Sequence, residues 1–507
     1  MTDHHKIERI DSFKNNSFSK NEDNQLMEVG KKDGNRMIDS LSTSYQNESK
    51  SVEISTFDEK MRLDALNKID KRLLNPFLKD TLYIEILINY IKKLNQDENT
   101  SFYALRSLKF ILQKKFEPNI SFYFRNFIQV IPKFYLNFKS LRIYRETIIL
   151  LSYLYKGKYS NYKTDKNLVQ MIGKIFSDNP KFPISDDLFI LSINVLSEVA
   201  LSLKNNNEIF WSSNILEKSK KFINQENTLI PFLNFCKSLF YNSKSLEFRR
   251  YKLFYDVTSN NLIGSKYIIQ ESIWKIYFYI SSCDNKDITD HIFEIIKVNL
   301  NDYLNPSKWN LYISILKILN NLSVSSKAIC KDLAENGEIV DNIIIKYLQI
   351  KEEDNSYLLI KLISYLLIQI PELAIKFSQL KLFSLFRDLI MKKVNTQTKE
   401  WISVYILSMI QNIPKSSLPF IEMKEYVEII AFELLEDNKI ILHNTIISII
   451  TLLQTYDQDF HKAVNSYLYE EILDTLNMRI ESSDSDIEKI AQDASTMLTN
   501  RAKIYKI

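Results

Sequence analysis

The sequence predicts an all-α chain of short stacked helical repeats, preceded by a disordered tail. Three observations carry that prediction. The 507 residues contain only 6 glycines and 10 prolines, where ordinary glycine usage near 7% would give roughly 35. Apolar residues recur at three- and four-residue spacing from about Glu59 onward, which is the mark of amphipathic helices. Similar helical segments then return at intervals of 40 to 47 residues.

The elements follow in chain order. Residues 1–58 are rich in Ser, Asn, Asp and Lys and poor in aliphatic side chains. Such a stretch cannot bury enough apolar surface to offset its ordering entropy, so it is expected to be disordered when alone. Residues 59–480 read as a succession of helices broken by Asn, Asp, Ser, Lys or Pro. Runs such as SLRIYRETIILLSYLY and KWNLYISILKILNNLSV are apolar around most of the helix. Helices of that kind lie between other helices. Residues 481–507 read as a closing helix or tail.

The repeat shows when equivalent points are marked. Arg106 lies in FYALRSLKFIL, Ile149 in TIILLSYLYKG, Asn194 in LSINVLSEVA and Asn234 in PFLNFCKSLF. Trp274 follows in QESIWKIYFYISS and Leu316 in SILKILNNLSVSS, and the series continues through Leu358, Tyr405 and Ile447. The offsets fall in the armadillo/HEAT range. Nine segments are visible, and a degenerate unit over Met61 to Asn95 makes a tenth. One unit cannot bury its own apolar face, so the units are expected to stack into a right-handed armadillo superhelix with a concave groove.

Composition narrows the function. Lys plus Arg is 66 and Asp plus Glu 62, a net charge of +4, which excludes a globally basic nucleic-acid coat. The glycines match neither GxGxxG nor GxxxxGK[ST], so phosphate-cradling loops are absent. Cys236, Cys283 and Cys330 form no CxxC pair, and the five histidines make no zinc spacing. No cofactor or metal is expected. Acidic pairs such as Asp186-Asp187 read as helix caps, and the 12% aromatics at helical spacing read as core. Neither an enzyme nor direct nucleic-acid binding is expected. The first residues hold no apolar signal core. The longest apolar run, Leu358 to Ile370, is interrupted by Lys361. The expectation is a soluble intracellular protein.

These segments resemble importin-α, the armadillo-repeat adaptor of nuclear import. Its third repeat reads like TRNAVWALSNLCRGK, and Tyr144 to Lys158 here read YRETIILLSYLYKGK. Its fifth resembles PALRAVGNIVTG, against PFLNFCKSLFYN at Pro231 to Asn242. Its sixth resembles KKEACWTISNITAG, and QESIWKIYFYISS keeps Glu271 and Trp274. The tail adds a second element. Family members begin with an importin-β-binding segment of the form RxxxFKN followed by basic clusters. Arg9 to Asn15 read RIDSFKN, and MEVGKKDGNR follows at Met27 to Arg36.

The resemblance implies a ladder of Trp/Asn pairs on the inner helices that holds basic localisation signals. A tryptophan face takes the stem and cation of a lysine, and an asparagine one turn later clamps the peptide backbone. Here the ladder is eroded. The major site falls on Arg106 with Phe110, Ile149 with Tyr153, and Asn194 with Glu198. The minor site falls on Trp274 with Phe278, Leu316 with Asn320, and Leu358 with Leu362. The groove candidates are therefore Trp274, Asn320, Phe278, Tyr153, Asn194 and Glu198, while Trp211, Trp309 and Trp401 read as packing residues. Tail candidates for an importin-β-like carrier are Arg9, Phe13, Lys14, Asn15, Lys31, Lys32 and Arg36.

The resemblance further implies cargo proteins bearing localisation signals, recycling by an export carrier, and residence in cytoplasm and nucleus. The alternative is an armadillo/HEAT interaction scaffold that has lost classical signal recognition, and a third class is a dedicated adaptor for one partner. A negative inner face favours the import adaptor. A neutral, apolar or positive one favours the scaffold.

Overall fold

The structure is a computed structural model of the chain. It describes Leu87 and residues 98–505, apart from 115–139, 157–165, 178–183, 203–207, 242–245, 263–264, 304–308, 336–340, 342–354, 381, 392–393, 415–419, 465 and 482–483. Among the described residues there are 21 α-helices and no strand. The chain forms two compact units, residues 1–242 and 243–507. Each is an all-α stack of armadillo-length repeats, the fold class the sequence predicts.

The first unit contains α1 (Glu98–Lys114), α2 (Leu141–Lys156), α3 (Lys166–Ile175), α4 (Asp186–Ser202), the short α5 (Glu208–Ser212) and α6 (Ile215–Ser219), and α7 (Glu226–Tyr241). Here α1 packs on α2, α2 on α4 and α4 on α7, while α3 packs on α5 behind them. The ladder is pinned by side chains as well as by apolar packing. The Tyr144 hydroxyl meets Ser192 Oγ at 2.8 Å, Ser197 Oγ meets Ser238 Oγ at 2.7 Å, and Lys109 donates to Glu146 at 3.2 Å. Phe176, Phe189 and Phe222 form one aromatic cluster, with centroids 4.8 to 5.8 Å apart. Gly173 on α3 lets the backbone come close there. A Cβ at that position would stand 3.3 Å from the Ser213 carbonyl oxygen and 3.4 Å from Ile215 Cγ1.

The second unit contains α8 (Phe248–Thr258), α9 (Tyr267–Ile280), α10 (Lys286–Tyr303), α11 (Trp309–Ser325), α12 (Lys327–Glu335), α13 (Ser356–Gln369) and α14 (Leu373–Gln379). It continues with α15 (Leu382–Met391), α16 (Thr396–Asn412), α17 (Phe420–Leu434), α18 (Lys439–Thr455), α19 (Asp457–Ala463), α20 (Ser466–Ile480) and α21 (Ser485–Tyr505). Its ladder runs α9, α11, α13, α16, α18, α21, each packed on the next. A second layer lies behind it, with α8 on α10 and α15, α17 and α20 in series.

Within each unit successive ladder helices begin 40 to 47 residues apart. All nine marked residues of the sequence series, Arg106 through Ile447, lie on ladder helices. α21, in the closing segment 481–507, keeps that spacing and packs on α18 and α20. Its outward side carries Glu488, Gln492, Asp493, Thr496 and Asn500, all exposed. The Tyr505 hydroxyl donates to Asp457 at 2.8 Å and Arg501 pairs with the same carboxylate at 3.2 Å, tying α21 to α19.

Local chemistry sets the helix boundaries. Asn395 caps α16 by accepting from Thr398 N, and Asn438 caps α18 by accepting from Ile440 N and Ile441 N. Such caps satisfy amides that the first helical turn leaves without a partner. Asp186 and Asp187 open α4, where a negative charge favours the helix dipole. α13 is buried nearly all round because α11 and α16 flank it and α12 and α14 back it. Its uniformly apolar sequence reads the same way. The unit proposed over Met61 to Asn95 lies outside the described residues except for Leu87.

Candidate functional site

The inner ladder helices α11, α13, α16 and α18 are flanked by ladder helices and packed against the second layer, which leaves a narrow stripe of each to meet solvent. That stripe is where a partner can bind. On α11 it is Asn310, Ile313, Lys317, Asn321 and Val324, and on α9 it includes Glu271, Lys275, Phe278 and Tyr279, with Ser282 in the turn that follows. On α13 the central part of the helix offers only Lys361.

In the first unit the marked residues face outward. Arg106, Ile149, Tyr153, Asn194 and Glu198 are half-buried, and Asn234 is exposed. Tyr153 and Glu198 stand on the exposed stripes of neighbouring helices α2 and α4. The Arg106 guanidinium lies 5.3 Å from the Phe102 ring.

In the second unit the expected pair lies inside. Trp274 is 0% exposed, and its ring packs 5.3 Å from that of Tyr277. An indole with no exposed surface cannot hold a lysine stem. Asn320 is 2% exposed. Its amide donates to the Leu316 carbonyl at 2.9 Å and to the Leu358 carbonyl of α13 at 2.8 Å. That amide joins two ladder helices and is not available to clamp a peptide backbone. Leu316, Leu358 and Leu362 are likewise buried. Of the second-unit candidates only Phe278 is half-exposed.

A slip of one residue explains the difference. Ile149, Asn194 and Asn234 are the ninth residues of α2, α4 and α7, whereas Trp274 and Leu316 are the eighth of α9 and α11. One residue rotates a side chain by about 100° around an α-helix. The ninth residues of α9 and α11 are Lys275 and Lys317, and these reach solvent. The family-like spelling QESIWK centres on Trp274, one residue before the solvent-facing Lys275. The polar series Glu271, Lys275, Ser282 and the series Asn310, Lys317, Asn321 held the correct rotation in plain sequence.

The stripe of the second unit has its own chemistry. Asn321 donates its amide hydrogens to Ser281 Oγ at 3.0 Å and Ser282 Oγ at 3.1 Å, pinning α11 to the end of α9. The Lys317 ammonium sits 5.9 Å from the Phe278 ring centroid. The Lys361 ammonium sits 5.2 Å from the Trp401 ring and 5.8 Å from the Tyr365 ring. Cations above aromatic faces are attracted by the ring quadrupole. Lys275 pairs with Glu271 at 2.7 Å. Neither α11 nor α13 contains a single acidic residue. The face here is lysine-bearing, where a basic-signal receptor needs carboxylates.

Trp401 is buried against Tyr365 and Trp211 packs against Phe240, as their places off the ladder series suggest. The Trp309 and Phe110 side chains lie outside the described residues. So do the tail candidates Arg9, Phe13, Lys14, Asn15, Lys31, Lys32 and Arg36.

Other reactive groups sit in the core. Cys236, Cys283 and Cys330 are buried, and burial pushes their thiols up, that of Cys330 to about 11. Among the described residues no group of three His, Cys, Asp or Glu could hold a metal ion, and no helix is long and apolar enough to cross a membrane. Glu433 on α17 is an unusual buried carboxyl, 1% exposed. Burial pushes it up to about 8. Sequence patterning missed it, because Glu433 is one of four glutamates on α17 and reads as solvent-facing like the others.

No family model matches the chain, and no curated protein matches it. Among solved structures it is similar to the crystal structure of an engineered protein, with a TM-score of 0.61 at 12% identity, over 82% of this chain and 98% of that one. It also aligns, with a TM-score of 0.45 at 11% identity, to a structure from work on a phosphorylation switch in the interaction between cadherin and beta-catenin. That alignment covers 86% of this chain and 95% of the other. The likeness to the engineered protein concerns the fold alone.

Proposed function

We propose that the chain is a non-enzymatic protein-interaction scaffold, in which the exposed stripes of the ladder helices hold a segment of another protein. The observation that carries this reading is the fate of the Trp/Asn pair. Trp274 and Asn320 are spent on packing and on joining α11 to α13, while the stripe beside them carries Lys275, Lys317 and Lys361.

The narrower reading is an import adaptor. It would hold basic localisation signals, engage an importin-β-like carrier through Arg9 to Asn15, be recycled by an export carrier, and move between cytoplasm and nucleus. It is supported by sequence resemblance. Its chemistry is opposed by like charge, since lysines on α9, α11 and α13 repel a basic peptide.

A titration of the full chain with a labelled lysine-rich localisation peptide, beside a scrambled-charge control at physiological salt, separates the two. The scaffold reading expects no binding above the control. Micromolar or tighter binding that disappears in Glu198→Lys would instead restore the adaptor, with its site in the first unit.

A further inference from the structure

We infer that the second unit has a further docking surface, on the second layer where α17 meets α20, and that it takes a basic amphipathic segment of a partner protein. The surface lies on other helices than the ladder stripes and does not rest on the scaffold reading. Three large apolar side chains open to solvent there. Phe432 and Leu435 are 42% and 54% exposed at the end of α17, and Met478 is 63% exposed near the end of α20. Arg479 holds the two helix ends together by donating to the Leu434 and Glu436 carbonyls at 3.1 Å. Leu435 and Met478, next in sequence to those partners, therefore flank one junction. Single exposed apolar residues are ordinary on a protein surface, whereas a group of them inside a polar rim marks a contact with another protein.

The rim is acidic, and that defines the occupant. α20 has Glu470, Glu471 and Asp474 against one cation, Arg479, and Arg479 is turned toward α17, where it pairs with Asp437 at 3.1 Å. At about 100° per residue, Glu470, Glu471, Asp474, Met478 and Glu481 share one side of α20 and its end, and all five reach solvent. Among the described residues none of these four carboxylates pairs with a cation. A segment with apolar anchors flanked by lysine or arginine answers both features, its anchors covering the junction and its long cationic side chains reaching the rim. Anionic lipid and nucleic-acid phosphates are repelled by the same rim. A second copy laid face to face would bring two sets of carboxylates together. A lysine-rich peptide without apolar side chains gains only screened surface charge.

The test uses the full chain and three labelled peptides at physiological salt. One carries leucine and lysine at helical spacing, the second has glutamate for each lysine, and the third has serine for each leucine. The leucine–lysine peptide is expected to bind about tenfold tighter than either of the others. The double variants Leu435→Ser/Met478→Ser and Glu471→Lys/Asp474→Lys are each expected to weaken it about tenfold, with the melting temperature unchanged because these side chains lie at the surface. Val298→Ser on α10, 80% exposed in the parent, should keep full binding. A leucine–lysine peptide that binds no tighter than either of the others, or that does not bind, overturns the inference. So does either double variant binding like the parent. Self-association of the chain in analytical ultracentrifugation that Leu435→Ser/Met478→Ser abolishes also overturns it, since the surface then belongs to a second copy.

Discussion

Glu433 gives the sharpest quantitative prediction. The carboxyl is buried where α17 meets α18. Thr445 Oγ lies 3.1 Å from Glu433 Oε2 and 2.8 Å from the Ile441 carbonyl oxygen. A hydroxyl has one hydrogen. If it goes to the Ile441 carbonyl, the contact with Glu433 is satisfied when the carboxyl itself carries a proton and donates to Thr445. Burial raises the Glu433 pKa from 4.5 to about 8, so the folded chain keeps that proton near neutrality.

The consequence for stability has a definite sign. Below about pH 4.5 both folded and unfolded forms are protonated, and the group carries no penalty. As pH rises from there, the unfolded form ionises first and gains stability, until the folded group also ionises near 8. Each pH unit in that window is worth about 1.4 kcal/mol, so the penalty reaches about 3 kcal/mol at about pH 7. Glu433→Gln offers an amide N–H in place of the acid O–H and has no proton to lose. Its melting temperature should match the parent at about pH 4.5 and exceed it near neutrality by roughly 6–12 °C, taking ~2–4 °C per kcal/mol for a unit of this size. Calorimetry across that range reads the difference, and other titrating groups cancel in it. A difference that does not change with pH would refute the protonated Glu433.

The remaining predictions concern packing. Trp274→Ala should cost roughly 3–5 kcal/mol as a core truncation, seen as a lower melting temperature. Asn320→Ala leaves the Leu358 carbonyl without its partner from α11 and should cost about 1–3 kcal/mol, read by chemical denaturation. Gly173→Leu forces side-chain atoms against Ser213 and Ile215 and should cost about 1–3 kcal/mol, without moving the transition of the second unit if the units melt separately. Asp457→Asn removes the charge that Arg501 pairs with and should speed amide exchange in α21 more than in α18.

The fold was legible because repeat period and helix texture are properties of many residues at once. Scarce glycine, the all-round apolar run of α13 and the 40–47 residue interval survive any single misreading. The site was less legible because it depends on helix rotation, which a one-residue slip moves by about 100°. The first-unit residues Tyr153, Asn194 and Glu198 are half-buried on the solvent-facing stripes of α2 and α4. On α9 the apolar set Ile269, Ile273, Ile276, Tyr277 and Ile280 turns Trp274 inward. Resemblance to a family motif outweighed that local pattern. In sequence Lys361 reads only as a break in an apolar run and Lys317 as a solubilising residue. Their setting appears only when the aromatic ring beneath each comes from a neighbouring helix.

The rotation of the second-unit ladder can be tested with small changes. Ser281 and Ser323 are 0% exposed, while Ser282 and Ser325 are exposed. Each can be replaced by cysteine at nearly constant volume, and the native cysteines are buried. Thiol labelling under native conditions should modify Ser282→Cys and Ser325→Cys quickly and leave Ser281→Cys and Ser323→Cys protected. Fast labelling at 281 and 323 would place Trp274 and Leu316 toward solvent and contradict the account.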